Sequence, residues 1–526
     1  MDDIELISDE LRHINVDLVR HQPLRLDKMF LRATEWRAAS EASSSVKRAP
    51  SPPRPAATYP LPKPCNDGVS PLAGLFDYPE LIPHVLKWFE RPAELGILAR
   101  VNRTFCDIVR KKLYGHIWIR PWEARCEEKL VLLFRMLKDR PDLCALVKNL
   151  DVRFFPLATR DTERYELDDQ VTAAFERMVN LEHLVWTRDK SLNPDLVKTI
   201  VSLKHLRSLE ISGHSYRYYN PSLLGSIASL DDLRIMMPDS TCRDALRGIL
   251  RDLARRPRGG LRGLAIVARS SPLVDDHLLR DIADDCLDLR WLTIWGCNKV
   301  TREGIYRIIR EARYLEELSL DALPHSGMTD LSDAPSLNCL RSLSLSFPPP
   351  HRTPVHPNFT APDLPLLPHA PNLTSLLLTL SSDRALFPSE GLDVLAQQVD
   401  FGRLTKLSIL NLFCSAQTVS SILALASNVE ELYLSLQGAH VIAESDLVQP
   451  GKAERLRILH VNAPERWAPT VENLSEVARA LPRLEQVGSG NRVYEVHRRL
   501  EGDERVVELC RWSRTFTPGY FQNWRG

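Results

Sequence analysis

What this sequence lacks removes most chemical functions before any motif is read. No apolar run approaches the ~20 residues that a membrane-spanning helix needs, so no membrane partner is expected. The 10 cysteines are scattered, with no C-x-x-C pair and no histidines at zinc-site spacing. That argues against a structural metal and for a reduced compartment, cytoplasmic or nuclear. The opening MDDIELISDELRHINVDLVR is acidic and has no apolar secretion core. Net charge is missing too: Lys+Arg and Asp+Glu both total 68, so nothing draws the chain toward nucleic acid. Phosphate-loop, dinucleotide and nucleophile-elbow glycine patterns are absent. His183, His205 and His277 have no nucleophile or carboxylate set beside them by spacing. The chain therefore reads as a non-enzyme with no cofactor.

What is present is a spacing. Residues 289–297 read LRWLTIWGC, with Leu289, Leu292 and Ile294 in an apolar-x-x-apolar-x-apolar frame and Trp291, Thr293 and Trp295 in the gaps. The frame recurs from Val147/Leu150/Val152 through Leu206/Leu209/Ile211 and Leu404/Leu407/Ile409 to Leu456/Leu459/Val461, and in degraded form at Leu484/Val487. Leu289, Leu315 and Leu340 open successive units 26 and 25 residues apart. A fixed period in this range marks stacked repeats. One unit buries about three apolar groups at roughly 1.5–3 kcal/mol each. Ordering ~25 residues costs about 1–2 kcal/mol per residue, so a single unit cannot stand alone. Stacked units share a core.

Strand side chains alternate faces, so the fourth and sixth positions of the frame point into that core and the third, fifth and seventh point away. The expected binding face therefore carries Trp291, Thr293 and Trp295 beside Glu317 and Asp321, with Glu210, Arg234, Tyr433 and His460 on other strands. Tryptophan is enriched at binding hot spots. Two readings of the pair stay open: ligand anchors, or rings covered by an inward bend or by a proline-rich insert.

The unit LRWLTIWGCNKVTREGIYRIIREARYLEELSL resembles the cysteine-containing leucine-rich repeat, with Cys297 in the slot for Cys or Asn. Elsewhere that slot holds His214, Pro238, Arg269, Leu323 and Pro464, so most turns must be held by other means. The resemblance implies an α/β fold: a leucine-rich-repeat solenoid over residues 121–490, with a curved parallel sheet on the concave face and helices on the convex face. A Pro-rich insertion at 348–371 stretches one unit, and residues 491–526 are expected to cap the end through Val493, Val496, Trp512, Phe516, Tyr520, Phe521 and Trp524.

Upstream, Ile4, Ile7, Leu11, Ile14 and Leu18 form a two-heptad seam within 1–39. Self-association through residues 4–18 and a lone amphipathic helix both stay open. Residues 40–71 are Ser/Pro-rich and expected to be a disordered linker. Residues 72–120 read as a helical module, with stripes at Leu81, Val85, Leu86 and Phe89 and at Leu95, Leu98, Val101, Phe105 and Ile108.

Within it, residues 76–119 resemble an F-box: Pro79, Glu80, Leu81, Ile82, Val85 and Leu86 match its first part, and Leu95, Leu98, Val101, Asn102, Phe105, Leu113 and Tyr114 its second. Pro83 and the lack of a Leu-Pro opening depart from the pattern. The small all-α F-box-like module followed by leucine-rich repeats resembles the fungal-type receptors of this class. That resemblance implies docking to a Skp-type adaptor and cullin, with Pro79, Leu81, Ile82, Val85, Leu86, Leu95, Leu98 and Val101 divided between core and interface. The implied function is the substrate-recognition subunit of a Skp-cullin-F-box ubiquitin ligase acting on an unknown protein substrate. A leucine-rich-repeat scaffold without a ligase role is the alternative. Two charged stretches, Asp281/Asp284/Asp288 and RDLARRPRGGLR at 251–262, are expected to be solvated faces.

Overall fold

The computed structural model describes residues from Pro79 to Arg511, apart from 87–88, 90–91, 120–124, 157–160, 322–336, 348–365, 381–384, 388–389, 450–451, 491 and 502–503. The seam at Ile4–Leu18, the 40–71 linker, most of the Pro-rich insertion and the aromatic residues from Trp512 to Trp524 lie outside the described residues. The chain divides into two compact units, with the boundary after Val109.

The first unit is helical. A 3-10 turn at Pro79–Leu81 leads into Ile82–Leu86, and Pro92–Ala99 follows; the third helix, Arg103–Gly115, begins in this unit and runs past its boundary. Pro83 is the second residue of its helix, where a backbone N–H would have no intrahelical partner, so the proline costs nothing there. Pro92 opens its own helix, with φ already set. The Asn102 side chain accepts from Phe105 N at 2.9 Å and caps the third helix.

The second unit is built on one 17-stranded sheet among the described residues. Its parallel strands follow chain order from His116–Trp118 and Asn149–Val152 to Gln486–Ser489, each beside the next except at Ala385–Leu386, which shares the partner strand Lys406–Cys414 with Ser375–Leu380. Register explains why the sequence period works. The fourth frame positions align directly, Leu209 on Leu233, Leu233 on Leu264, Leu264 on Leu292, and onward through Leu318, Leu343, Leu376, Leu407, Leu432 and Leu459 to Val487. Every one of these side chains is buried, forming a continuous apolar spine. Helices cover this side: Ile305, Ile308 and Ile309 of Arg302–Glu311 are buried beneath it.

Helix caps close the turns between strand and helix, in the Cys297 unit as well as in units without a Cys or Asn in that slot. Asp239, Asp275, Thr301, Ser415 and Thr470 each accept from a backbone N–H in the first turn of the following helix. Some caps also tie neighbouring repeats: Asp276 accepts from Thr301 N at 2.7 Å and from its hydroxyl at 2.6 Å. Past the last parallel strand, Arg492–Glu501 and Glu504–Arg511 form an antiparallel hairpin. Val496 N donates to Glu485 O, and the Arg498 guanidinium donates to Leu484 O, Leu481 O and Ala478 O.

Candidate functional site

The sheet face away from the helices carries the third, fifth and seventh frame positions, and it divides into three zones. In the first, Glu210 lies on Ser208–Ser212 and is only 7% exposed. It accepts from Arg153 at 2.8 Å and sits 3.8 Å from Arg234. The Arg234 guanidinium stacks over the Trp291 ring, 4.7 Å from its centroid, and the indole N–H donates to Asp232 at 3.1 Å. Gly263 lies between Asp232 and Trp291 in the sheet, and a Cβ there would fall inside the indole ring. Trp291 therefore lies flat across its neighbour rather than standing as a free anchor. Burial pushes the Asp232 carboxyl up, opposed by its bond from Trp291.

The second zone is lined by small hydroxyls. Register sets Trp291 beside Glu317 and Thr293 beside Ser319. Glu317 is exposed, Trp295 half-buried, and Thr293 and Ser319 buried. Asp321 accepts from Gly296 N at 3.1 Å, where the backbone has φ +66, and so holds the turn after Trp295. The hydroxyls of Ser319, Ser346, Thr379 and Ser408 are buried with no hydrogen-bond partner among the described residues.

The third zone is apolar. Leu410 and Tyr433, with Ile458 against them, form a cluster separate from the main core. The Tyr433 hydroxyl donates to Glu431 at 3.0 Å, and Lys406 lies over the ring at 5.5 Å. Tyr433 and His460 both have 0% exposure, so neither projects as the polar contact expected of it. Leu410 and Ile458 enclose Tyr433.

Sequence reasoning missed Arg153 and Asp232, the partners that occupy Glu210 and Trp291. Both were legible as the seventh and third positions of their frames. The two charged stretches keep Arg255, Arg258, Arg262, Asp284 and Asp288 exposed, and several of their side chains also bond to neighbouring repeats. Asp284 pairs with Arg307 at 2.8 Å, Asp288 accepts from Gly260 N at 2.6 Å, and Asp281 lies 3.6 Å from Arg247. Arg256 donates to the carbonyls of Leu230 and Ile227 in one turn and of Leu253 at the end of the Ser240–Ala254 helix. No group of metal-ligating side chains is found among the described residues.

In the helical unit, Ile82, Leu86 and Leu95 are buried and Leu98 is half-buried. Leu81, Val85 and Val101 are exposed, as is Ile97 at 67%, a residue the sequence pattern did not single out. Pro79 belongs to the 3-10 turn that opens the unit.

The second unit is thus a leucine-rich-repeat solenoid, and the chain belongs to the α/β class. No protein-family model matches the sequence, and no curated protein is similar to it. Among solved structures, it is similar to a chain in the crystal structure of the yeast Rad7 and Elc1 complex, at 15% identity and a TM-score of 0.36. The match covers 74% of this chain and 98% of that one.

Proposed function

We propose that this chain is the substrate-recognition subunit of a Skp-cullin-F-box ubiquitin ligase, acting in the cytoplasm or nucleus. The helical module over 72–120 would dock the Skp-type adaptor, and the open face of the solenoid would hold a protein substrate. One observation carries this reading. The module buries Ile82, Leu86 and Leu95 yet leaves Leu81, Val85, Ile97 and Val101 exposed. Large apolar side chains standing out from so small a unit need a partner to be tolerated in water.

The substrate would meet the half-buried Trp295 and exposed Glu317 first, because Glu210, Tyr433 and His460 are already enclosed. Ubiquitin transfer needs no catalytic group from this chain; its role is to bring the target to the machinery. The test is co-purification with the Skp adaptor and cullin. Leu81→Asp with Val101→Asp should abolish it without lowering the thermal midpoint, and retained binding would reject the assignment. A wild-type chain that captures neither subunit would leave a leucine-rich-repeat scaffold with no ligase role.

A further inference from the structure

We propose that the rim of the solenoid between Arg341 and Arg455 is a second docking site, which takes an extended acidic segment of a partner protein. The rim is formed by the residue that follows the first apolar position of each frame. From Lys148 through Glu182, Arg207, Asp231, Arg262, Arg290, Glu316, Arg341, Thr374, Thr405, Glu430 and Arg457 to Glu485, each backbone N–H donates to the carbonyl of the one before, at 2.6–2.9 Å. This unbroken ladder holds the side chains one strand spacing apart, about 4.8 Å.

Their charges largely alternate, and neighbours pair: Lys148 with Glu182 at 3.0 Å, Arg290 with Glu316 at 3.1 Å, and Arg457 with Glu485 at 3.0 Å and Glu430 at 3.6 Å. The alternation lapses at Thr374 and Thr405, which carry no charge. Each threonine hydroxyl donates to the carbonyl before it, at 3.1 and 3.2 Å. A cavity of about 590 Å³ opens at this lapse, lined by Arg341, Thr374, Arg403, Thr405, Glu430 and Arg455 among others.

The lining charges do not cancel. Glu430 is held by Arg457, and Glu316, the natural partner of Arg341, is held by Arg290. Arg403 donates to Pro371 O and Asn372. Arg341 and Arg455 are exposed and have no ion pair among the described residues. The cavity is therefore a cationic gap in the ladder, and a carboxylate from outside would pair with it. Guanidinium groups suit carboxylates through bidentate pairing. From Arg341 to Glu430 the gap spans three strand spacings, about 14 Å, which four or five extended residues cover. The inference does not rest on the ubiquitin-ligase reading.

The exposed thiol of Cys339 lines the same cavity and reports on it. The probe is a fluorescein-labelled peptide of alternating Glu and Ser, measured by anisotropy on the full chain at low salt, against the same peptide with Lys for Glu. The Glu peptide should bind, the Lys peptide should not, and saturating Glu peptide should slow alkylation of Cys339. Arg341→Gln with Arg455→Gln should weaken binding about tenfold, the scale expected for two exposed charge contacts. Arg262→Gln, which removes a rim arginine outside the cavity, should leave it unchanged. Should the Gln pair lower the thermal midpoint, Arg341→Lys with Arg455→Lys must still bind more tightly than the Gln pair, because it keeps both charges and gives up only the guanidinium fork. Equal loss with Arg262→Gln, retained binding in the Gln pair, lost binding in the Lys pair, or an unprotected Cys339 would each overturn the proposal. Because no adaptor enters the assay, its outcome is separate from that of the co-purification.

Discussion

The indole nitrogen of Trp291 reaches the Asp232 carboxylate, 3.1 Å away, by lying across the strand between them at Gly263. The bond joins residues 59 apart in sequence, and it exists only because position 263 has no side chain. Gly263→Ala should therefore cost roughly 1–3 kcal/mol, the range for overpacking a filled site. Denaturant unfolding measures it. In a Trp291→Ala background the same substitution should cost a few tenths of a kcal/mol, since the ring it strikes is gone. Additive costs would show that the ring does not occupy the space over Gly263.

The helical module separates folding from docking. Ile82 and Leu86 have 0% and 2% exposure, whereas Leu81 has 46% and Val101 55%. An aspartate at Ile82 or Leu86 should unfold the module, because a charge without a partner would enter its core. The same change at Leu81 or Val101 should leave thermal stability within about 0.5 kcal/mol. A loss of adaptor capture is informative only for the second pair. Equal destabilisation by all four substitutions would show that no free apolar face exists.

The spine of the solenoid was readable because one period recurs and because register sets each Leu on the next, as with Leu264, Leu292 and Leu318. The binding face was less so. Whether a third or fifth position is open depends on which residues of adjacent repeats lean over it, and periodicity says nothing about that. Trp291 and Tyr433 occupy comparable frame positions, yet one lies flat over a glycine and the other is sealed against Leu410. The terminal hairpin also escaped, although the sequence Gly502-Asp503 is a turn-type dipeptide between two runs carrying Val493, Val496, Val506 and Val507.

Asp239 gives a pH signature. Burial alone would raise its carboxyl, but N–H donors from Tyr216 at 2.6 Å and Cys242 at 2.8 Å, with the Ser215 hydroxyl, outweigh it and hold the group below the ordinary carboxylate range. A lowered folded-state value means the stabilisation is complete above the unfolded value, about pH 4, and is lost as pH falls through the folded one. Asp239→Asn should cost about 1 kcal/mol at pH 7. Urea midpoints of the two proteins should converge below about pH 4. A gap that stays constant to pH 3 would assign the effect to geometry rather than charge.

Thr379 buries a hydroxyl that has no partner among the described residues, at 3% exposure. Such a group carries a desolvation cost of about 1–3 kcal/mol with nothing to offset it. Thr379→Val keeps the shape and removes the cost, so the variant should gain about 1 kcal/mol and its thermal midpoint should rise. A fall of the same size would mean that the hydroxyl is bonded in solution.

Arg498 closes the open end of the stack. Its guanidinium donates to Leu484 O at 2.6 Å, Leu481 O at 2.7 Å and Ala478 O at 3.2 Å, taking up carbonyls at the end of the Val471–Ala480 helix and in the turn that follows it. A cation there also meets the negative end of the helix dipole. Burial lowers the Arg498 pKa, yet three carbonyl partners hold the charged form in place. Arg498→Met keeps the aliphatic stem but leaves those carbonyls unpaired, at a cost of about 1.5–3 kcal/mol for a charge-assisted contact. In a stack of repeats that loss is local, because each unit leans only on its neighbours. Hydrogen exchange should therefore quicken at Gln486–Ser489 first, while amides of the Asp232–Met236 strand keep their protection. Uniform loss across both strands would show that the hairpin stabilises the array as a whole rather than its last repeat.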